Sequence, residues 1–197
     1  MSELAERPLR ADARRNRERV IEAARAVFAE CGRDAQMDDV ARRADVGVGT
    51  VYRHFPTKEA LLRALAYDAF ERIAAKAAEG LAMDDPWEGF LHVLREGAQI
   101  MAGDRALTEV VMEIPGGIER SEAPMSELLE RTGELVRRAQ AAGRLRPDLV
   151  VEDIGMLMCG VASATIKPHP CADAWRRHLA IVIDGLRADA ASGRLPS

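Results

Sequence analysis

Apolar residues recur at spacings of three and four along almost the whole chain, and the strict alternation of a half-buried strand is absent. That pattern predicts an all-α fold of about nine helices. From Arg14 to Cys31, Val20, Ile21, Ala24, Val27 and Phe28 form one apolar stripe, and Gly32 stands where a C-terminal cap belongs. Met37 to Ala44 reads as a short second helix. Asp38 and Asp39 lie in its first turn, where the helix dipole favours anions, while Val40, Ala41 and Ala44 form its inner face. After the tight Asp45, Val46, Gly47 connection, a third helix runs from Val48 to His54 and is stopped by Pro56. Thr57 then caps a long helix reaching about Ala82.

Pro86 opens the next helix, to about Ala102, and Arg105 to Ile114 make another. Pro115, Gly116 and Gly117 start an irregular stretch through Pro124. Met125 to Ala142 is helical up to Gly143, and Asp148 to Ile166 follows until the Lys167 to Pro170 run breaks it. The last helix, Ala172 to Ala191, carries Trp175, Leu179, Val182, Ile183 and Leu186 at helical spacing. The expected organisation is a flexible arm at 1–11, a small helical domain at 12–58 and a larger helical domain at 59–197.

Composition narrows the class. A chain of 197 residues buries a core without staples, and Cys31, Cys159 and Cys171 are odd in number with no CxxC spacing, which predicts free thiols in a reducing cytoplasm. No apolar run approaches the roughly 20 residues of a membrane helix, so a soluble protein with no membrane partner is expected. No GxSxG, Walker loop, HExxH or strand-borne dinucleotide fingerprint occurs, so neither catalysis nor a cofactor is expected. His169 and Cys171 with the remote His92 and His178 lack zinc spacing, so no metal site is expected.

A net charge of −4 says little until it is divided. Residues 7–58 hold 12 Lys and Arg against 8 Asp and Glu, a net +4, whereas residues 59–197 carry −6 and residues 1–6 carry −2. A basic front on an acidic body docks one end on phosphate and holds the rest away.

Three short helices, the last two joined by a glycine-containing turn, are the sequence form of a DNA-binding helix-turn-helix. Val51 and Phe55 share the inner face of the third helix, leaving Val48, Gly49, Thr50, Tyr52, Arg53 and His54 outward. Gly49 allows close backbone approach, Thr50 offers a hydroxyl and a methyl, and Arg53 offers a bidentate fork, while Tyr52 and His54 are short donors for phosphate oxygens. Lys58 adds charge at a helix N-terminus. Gln36 and Met37, at the start of the second helix, and Arg14, in the N-terminal basic run, complete the candidate DNA-contacting set.

The stretch from Arg17 to Leu62, with Gly49, Thr50, Val51, Tyr52, Arg53, His54 and Phe55 ahead of Lys58 and Glu59, resembles the N-terminal domain of the tetracycline-repressor (TetR) family. The resemblance implies a homodimer, recognition by residues 48–54, phosphate contacts from Tyr52, His54 and Lys58, and repression of a palindromic operator relieved by a small effector. Two residues depart from the family pattern: Gln36 stands where a threonine is common, and Asp45 where the turn commonly has glycine.

The larger domain is rich in methionine, which suits adaptable walls around a mostly apolar ligand. Phe90, Leu94, Met101, Leu107, Val111, Met112, Leu128 and Met156 are its candidate lining. Ile154, Leu157, Met158 and Val161, with Leu179, Val182, Ile183 and Leu186, are the candidate dimer surface, and small Gly155 and Gly160 allow close approach. A helical adaptor using the same head for protein contacts, or an activator using it for DNA, are the competing readings.

Overall fold

A computed structural model describes residues 3–103, 123–164 and 174–196, with side chains from Arg15 onward except Arg33. Among these residues there are eight α-helices and no strand. They are α1 (Glu3–Cys31), α2 (Met37–Ala44), α3 (Val48–His54), α4 (Lys58–Leu81), α5 (Pro86–Gly103), α6 (Ala123–Ala141), α7 (Val151–Ser163) and α8 (Ala174–Leu186). The ninth expected helix, Arg105 to Ile114, and the Lys167 to Pro170 break lie outside the described residues.

α2 and α3 have the bounds that the sequence predicts, and α4, α5 and α6 agree to within a residue or two. α1 begins at Glu3 rather than near Arg14, so residues 3–11, expected as a loose arm, are helical. The segment is rich in Ala, Leu, Arg and Glu, whose helix propensities are high. α7 and α8 are shorter than expected because their flanking backbone is used elsewhere. Asp148 is held by Arg146, so α7 waits until Val151, with the Asp153 carboxylate accepting from the Val150 N–H. α8 stops at Leu186, whose carbonyl accepts from the Arg146 N–H at 3.0 Å, and Ala188 N–H donates to Arg144 at 3.0 Å.

The α4–α5 pair organises the body. Thr57 Oγ1 accepts from the Ala60 N–H at the start of α4, and Asp85 caps α5 through the Trp87 and Glu88 N–H groups. The two helices touch backbone to backbone at Gly80 and Gly89: a Cβ on Gly80 would lie 2.5 Å from the Gly89 carbonyl oxygen, and one on Gly89 would lie 2.3 Å from that of Gly80. α6 is pinned to α4 by Arg131, which donates to the Ala74 carbonyl at 2.9 Å, and by Arg138, which donates to Leu81 at 2.9 Å. Gly143, with φ of +67°, turns the chain out of α6. Phe28, Leu61, Leu65, Phe90 and Leu135 are fully buried in one continuous core running from α1 to α8.

Candidate nucleic-acid interface and effector cavity

The third helix is built as a presented edge. Its inner face is fixed by Val51 and Phe55, 0% and 4% exposed. The other face is open: Val48 is 42% and Tyr52 47% exposed, and Gly49 and Arg53 are also exposed. A Cβ on Gly49 would meet nothing within 4 Å, so no neighbour in the fold requires glycine there.

The turn ahead of this helix is fixed from α1. Asp45 takes the left-handed conformation (φ 52°, ψ 50°), and its N–H bonds the Ala41 and Arg42 carbonyls. Arg19 reaches over from α1, donating to the Ala44 carbonyl at 2.6 Å and meeting the Asp45 carboxylate at 3.5 Å. The negative charge at Asp45 is thus partly offset by a neighbouring cation. The Arg17 guanidinium lies 5.5 Å from the Phe55 ring centre and the Lys58 ammonium 5.5 Å from that of Phe28, so both cations sit over aromatic faces where the three helices meet α4. In α2, Arg43 pairs with Glu30 at 2.6 Å and holds that carboxyl below its ordinary range, while Arg42 pairs with Asp39. An ion pair ties the head to the body, where Arg25 of α1 binds Asp68 of α4 at 2.6 Å.

Further along α4, the same helix forms one wall of a cavity. Its volume is about 260 Å³, and α5, α6 and α7 supply the other walls. Phe70 and Ile73 come from α4, Leu94, Gly97 and Met101 from α5, Leu128 and Thr132 from α6, and Ile154, Met158 and Cys159 from α7. None of the described lining residues is charged. Burial pushes the Cys159 thiol up from its ordinary value, so it too is neutral.

Comparisons with known proteins follow this division. The sequence model for "Bacterial regulatory proteins, tetR family" matches residues 20–65, the head and the start of α4. The model for "Transcriptional regulator SbtR-like, C-terminal domain" matches residues 85–188, just over half of the chain. A solved TetR transcription regulatory protein from Mycobacterium vanbaalenii is 38% identical, with a TM-score of 0.62, over 91% of this chain and 99% of that one. The chain belongs to the TetR family.

Among curated TetR-type regulators, the transcriptional repressor KstR of Mycolicibacterium smegmatis is 38% identical over 111 residues, 55% of this chain. This chain spans about half (54%) of that repressor's length. The transcriptional regulator UidR of Escherichia coli is 26% identical over 91% of this chain and 93% of its own. Membership makes the protein a DNA-binding transcriptional regulator, with α2 and α3 as its helix-turn-helix. No helix among the described residues is long and apolar enough to cross a membrane.

Several expected residues take other places in this TetR protein. Met37, expected to face outward, is 7% exposed and packs inward at the first turn of α2. Gln36 is exposed, and its side-chain amide donates to the Asp34 carbonyl at 2.8 Å instead of capping α2. His54 is half-buried, and its Nε2 is buried with no hydrogen-bond partner. Thr50 is half-buried on the outer side of the helix. The Arg14 side chain lies outside the described residues.

Of the expected ligand lining, Leu94, Met101 and Leu128 face the cavity. Phe90 does not: it is 0% exposed and packs its ring 5.8 Å from Trp87 in the solid core. Met156 does not either, being 71% exposed on the outside of α7. Leu107, Val111 and Met112 lie outside the described residues. Of the expected dimer surface, Ile154 and Met158 line the cavity, while Val161, Leu179 and Leu186 are buried within the chain. Leu157, Val182 and Ile183 are half-buried. Leu157 and Val182 lie with Gly160, Gly185 and the exposed Ile181 in a shallow groove between α7 and α8.

Thr132, Gly97, Phe70 and Ile73 were missed by sequence reasoning. The signal for the last two was present in α4, where a large pair three residues apart stands among Ala66, Ala69, Ala74 and Ala77.

Proposed function

We propose that this TetR regulator is a homodimeric repressor that holds a palindromic operator in the cytoplasm and leaves it when the cavity takes up a small, mostly apolar effector. The observation that carries the reading is the span of α4. This 24-residue helix, about 36 Å long, starts beside the reading helix at Lys58 and forms a cavity wall at Phe70 and Ile73. A ligand that wedges between α4 and α7 tilts the helix and changes the separation of the two reading helices. A coupling of about 1 to 3 kcal/mol is enough for a useful switch.

The reading assigns Thr50, Arg53 and the Gly49 backbone to base edges, and Tyr52 and Lys58 to phosphates. Two copies are required because a palindrome presents half-sites about 34 to 36 Å apart or a multiple of that. The groove between α7 and α8, with Met156 and Ile181 exposed beside it, is the surface assigned to the second copy.

The test is selection of random duplexes by the full chain, followed by binding to the selected duplex across a salt series. A palindrome with a steep salt slope supports the reading. Enrichment of no sequence, or binding unchanged by Arg53→Ala, overturns it in favour of the adaptor.

A further inference from the structure

The chemistry of the cavity wall restricts what can enter it, and this inference rests on the effector reading above. Thr132 is 4% exposed, the one buried polar residue among those described, and it stands in the wall. Its neighbour Arg131 is turned away, with its guanidinium on the Ala74 carbonyl at 2.9 Å and on Glu127. Among the described lining residues no charged side chain stands ready to meet a carboxylate or phosphate drawn inside.

Two glycines lie in the wall, Gly97 buried and Gly155 exposed. A Cβ on Gly155 would meet nothing within 4 Å, and one on Gly97 would come to 3.4 Å from Ile73 Cγ2 and 3.8 Å from Met158 Cε. The volume, about 260 Å³, falls just under the roughly 300 Å³ at which drug-sized pockets begin.

We propose that the ligand is an uncharged, mainly hydrocarbon molecule bearing one hydroxyl or carbonyl, with Thr132 as its polar anchor and Gly155 as the gate on its size. Thr132 Oγ1 donates to a carbonyl, or exchanges a hydrogen bond with a hydroxyl, and the apolar side chains of the described wall pack against the hydrocarbon.

The experiment uses the full chain without DNA and displaces the neutral fluorophore N-phenyl-1-naphthylamine with 1-decanol or with decanoate at pH 8. Decanol is expected to compete at least tenfold more strongly. Thr132→Val should weaken decanol about three- to tenfold, the worth of one hydrogen bond, and Thr132→Ser should restore it. Gly155→Leu should abolish binding of both while circular dichroism stays helical.

Equal or stronger competition by decanoate, indifference to Thr132→Val, or failure of the neutral molecules to bind overturns the proposal. Operator binding is measured separately. Decanol that binds yet leaves operator affinity unchanged defeats the effector reading and leaves the pocket chemistry standing.

Discussion

The reading head and the regulatory body use the same helices to opposite ends. In the head, the middle of α3 offers its chemistry outward: Arg53 and Tyr52 are exposed, and a Cβ on Gly49 would meet nothing within 4 Å. In the body, the residues that bound the cavity are also part of the packed interior, since Leu94, Met101 and Ile154 are each under 8% exposed yet line it. A head of this kind can change its DNA sequence preference without altering its fold. A body of this kind changes its ligand by changing its core, which couples specificity to stability.

Substitutions can break this comparison, starting with the largest effect. Phe28→Ala removes a ring that is 1% exposed and joins α1 to the start of α4. It should cost about 3 to 5 kcal/mol in denaturant unfolding and take operator binding with it. Gly89→Ala forces a methyl to within 2.3 Å of the Gly80 carbonyl. The backbone cannot yield there as a flexible side chain would, so about 1 to 3 kcal/mol should be lost, with operator affinity retained below the transition.

Arg53→Ala should do the reverse. Operator affinity should fall by about 1 to 3 kcal/mol in an anisotropy titration while the unfolding midpoint stays where it was. If the midpoint falls as well, the division between outward chemistry and inward folding is wrong.

Smaller still is the tie between the two regions. Asp68→Asn leaves Arg25 of α1 without its partner on α4 and should cost about 0.2 to 1 kcal/mol, more in low salt than in high. Its sharper effect should be on effector-induced operator release, which is compared between wild type and variant at equal ligand occupancy.

The last prediction concerns pH. The Arg146 guanidinium, at 2.7 Å, with the Leu195 N–H, also at 2.7 Å, holds the Asp148 carboxyl far below its ordinary range. A depressed folded-state value means that the pair stabilises fully above the ordinary carboxylate range and loses that contribution as pH falls through and below it. Urea midpoints of the wild type should therefore decline between about pH 5 and 3 more steeply than those of Asp148→Asn, which starts lower. Parallel curves would show that the clasp on the C-terminal segment contributes nothing.

The head was legible because its signals are local. Val51 and Phe55 at a spacing of four, Pro56 as a stop and Thr57 as a cap need no partner from elsewhere in the chain, and α2 and α3 fall where those residues put them. Met37 was also legible: it lies three and four residues before Val40 and Ala41, on the inner face that those residues define, and it is buried with them. In the body the same apolar periodicity served three destinations. Ile154 and Met158 went to the cavity and Val161 to the core, while Met156 stayed outside, although all four lie within eight residues of α7. The ends of α7 and α8 were misjudged because Arg146 engages both the start of one and the end of the other.

Sequence by itself determined that this protein is helical, that its basic front is a helix-turn-helix, and which side of α3 faces outward, because caps, turn residues and apolar spacing act within a few residues of one another. The tertiary structure alone decided where α4 crosses α5, which apolar side chains leave a space between them and that Thr132 is the polar group in its wall. A cavity is what remains when four helices pack at fixed angles, and those angles are set by contacts such as Gly80 on Gly89 between residues that no helical period relates.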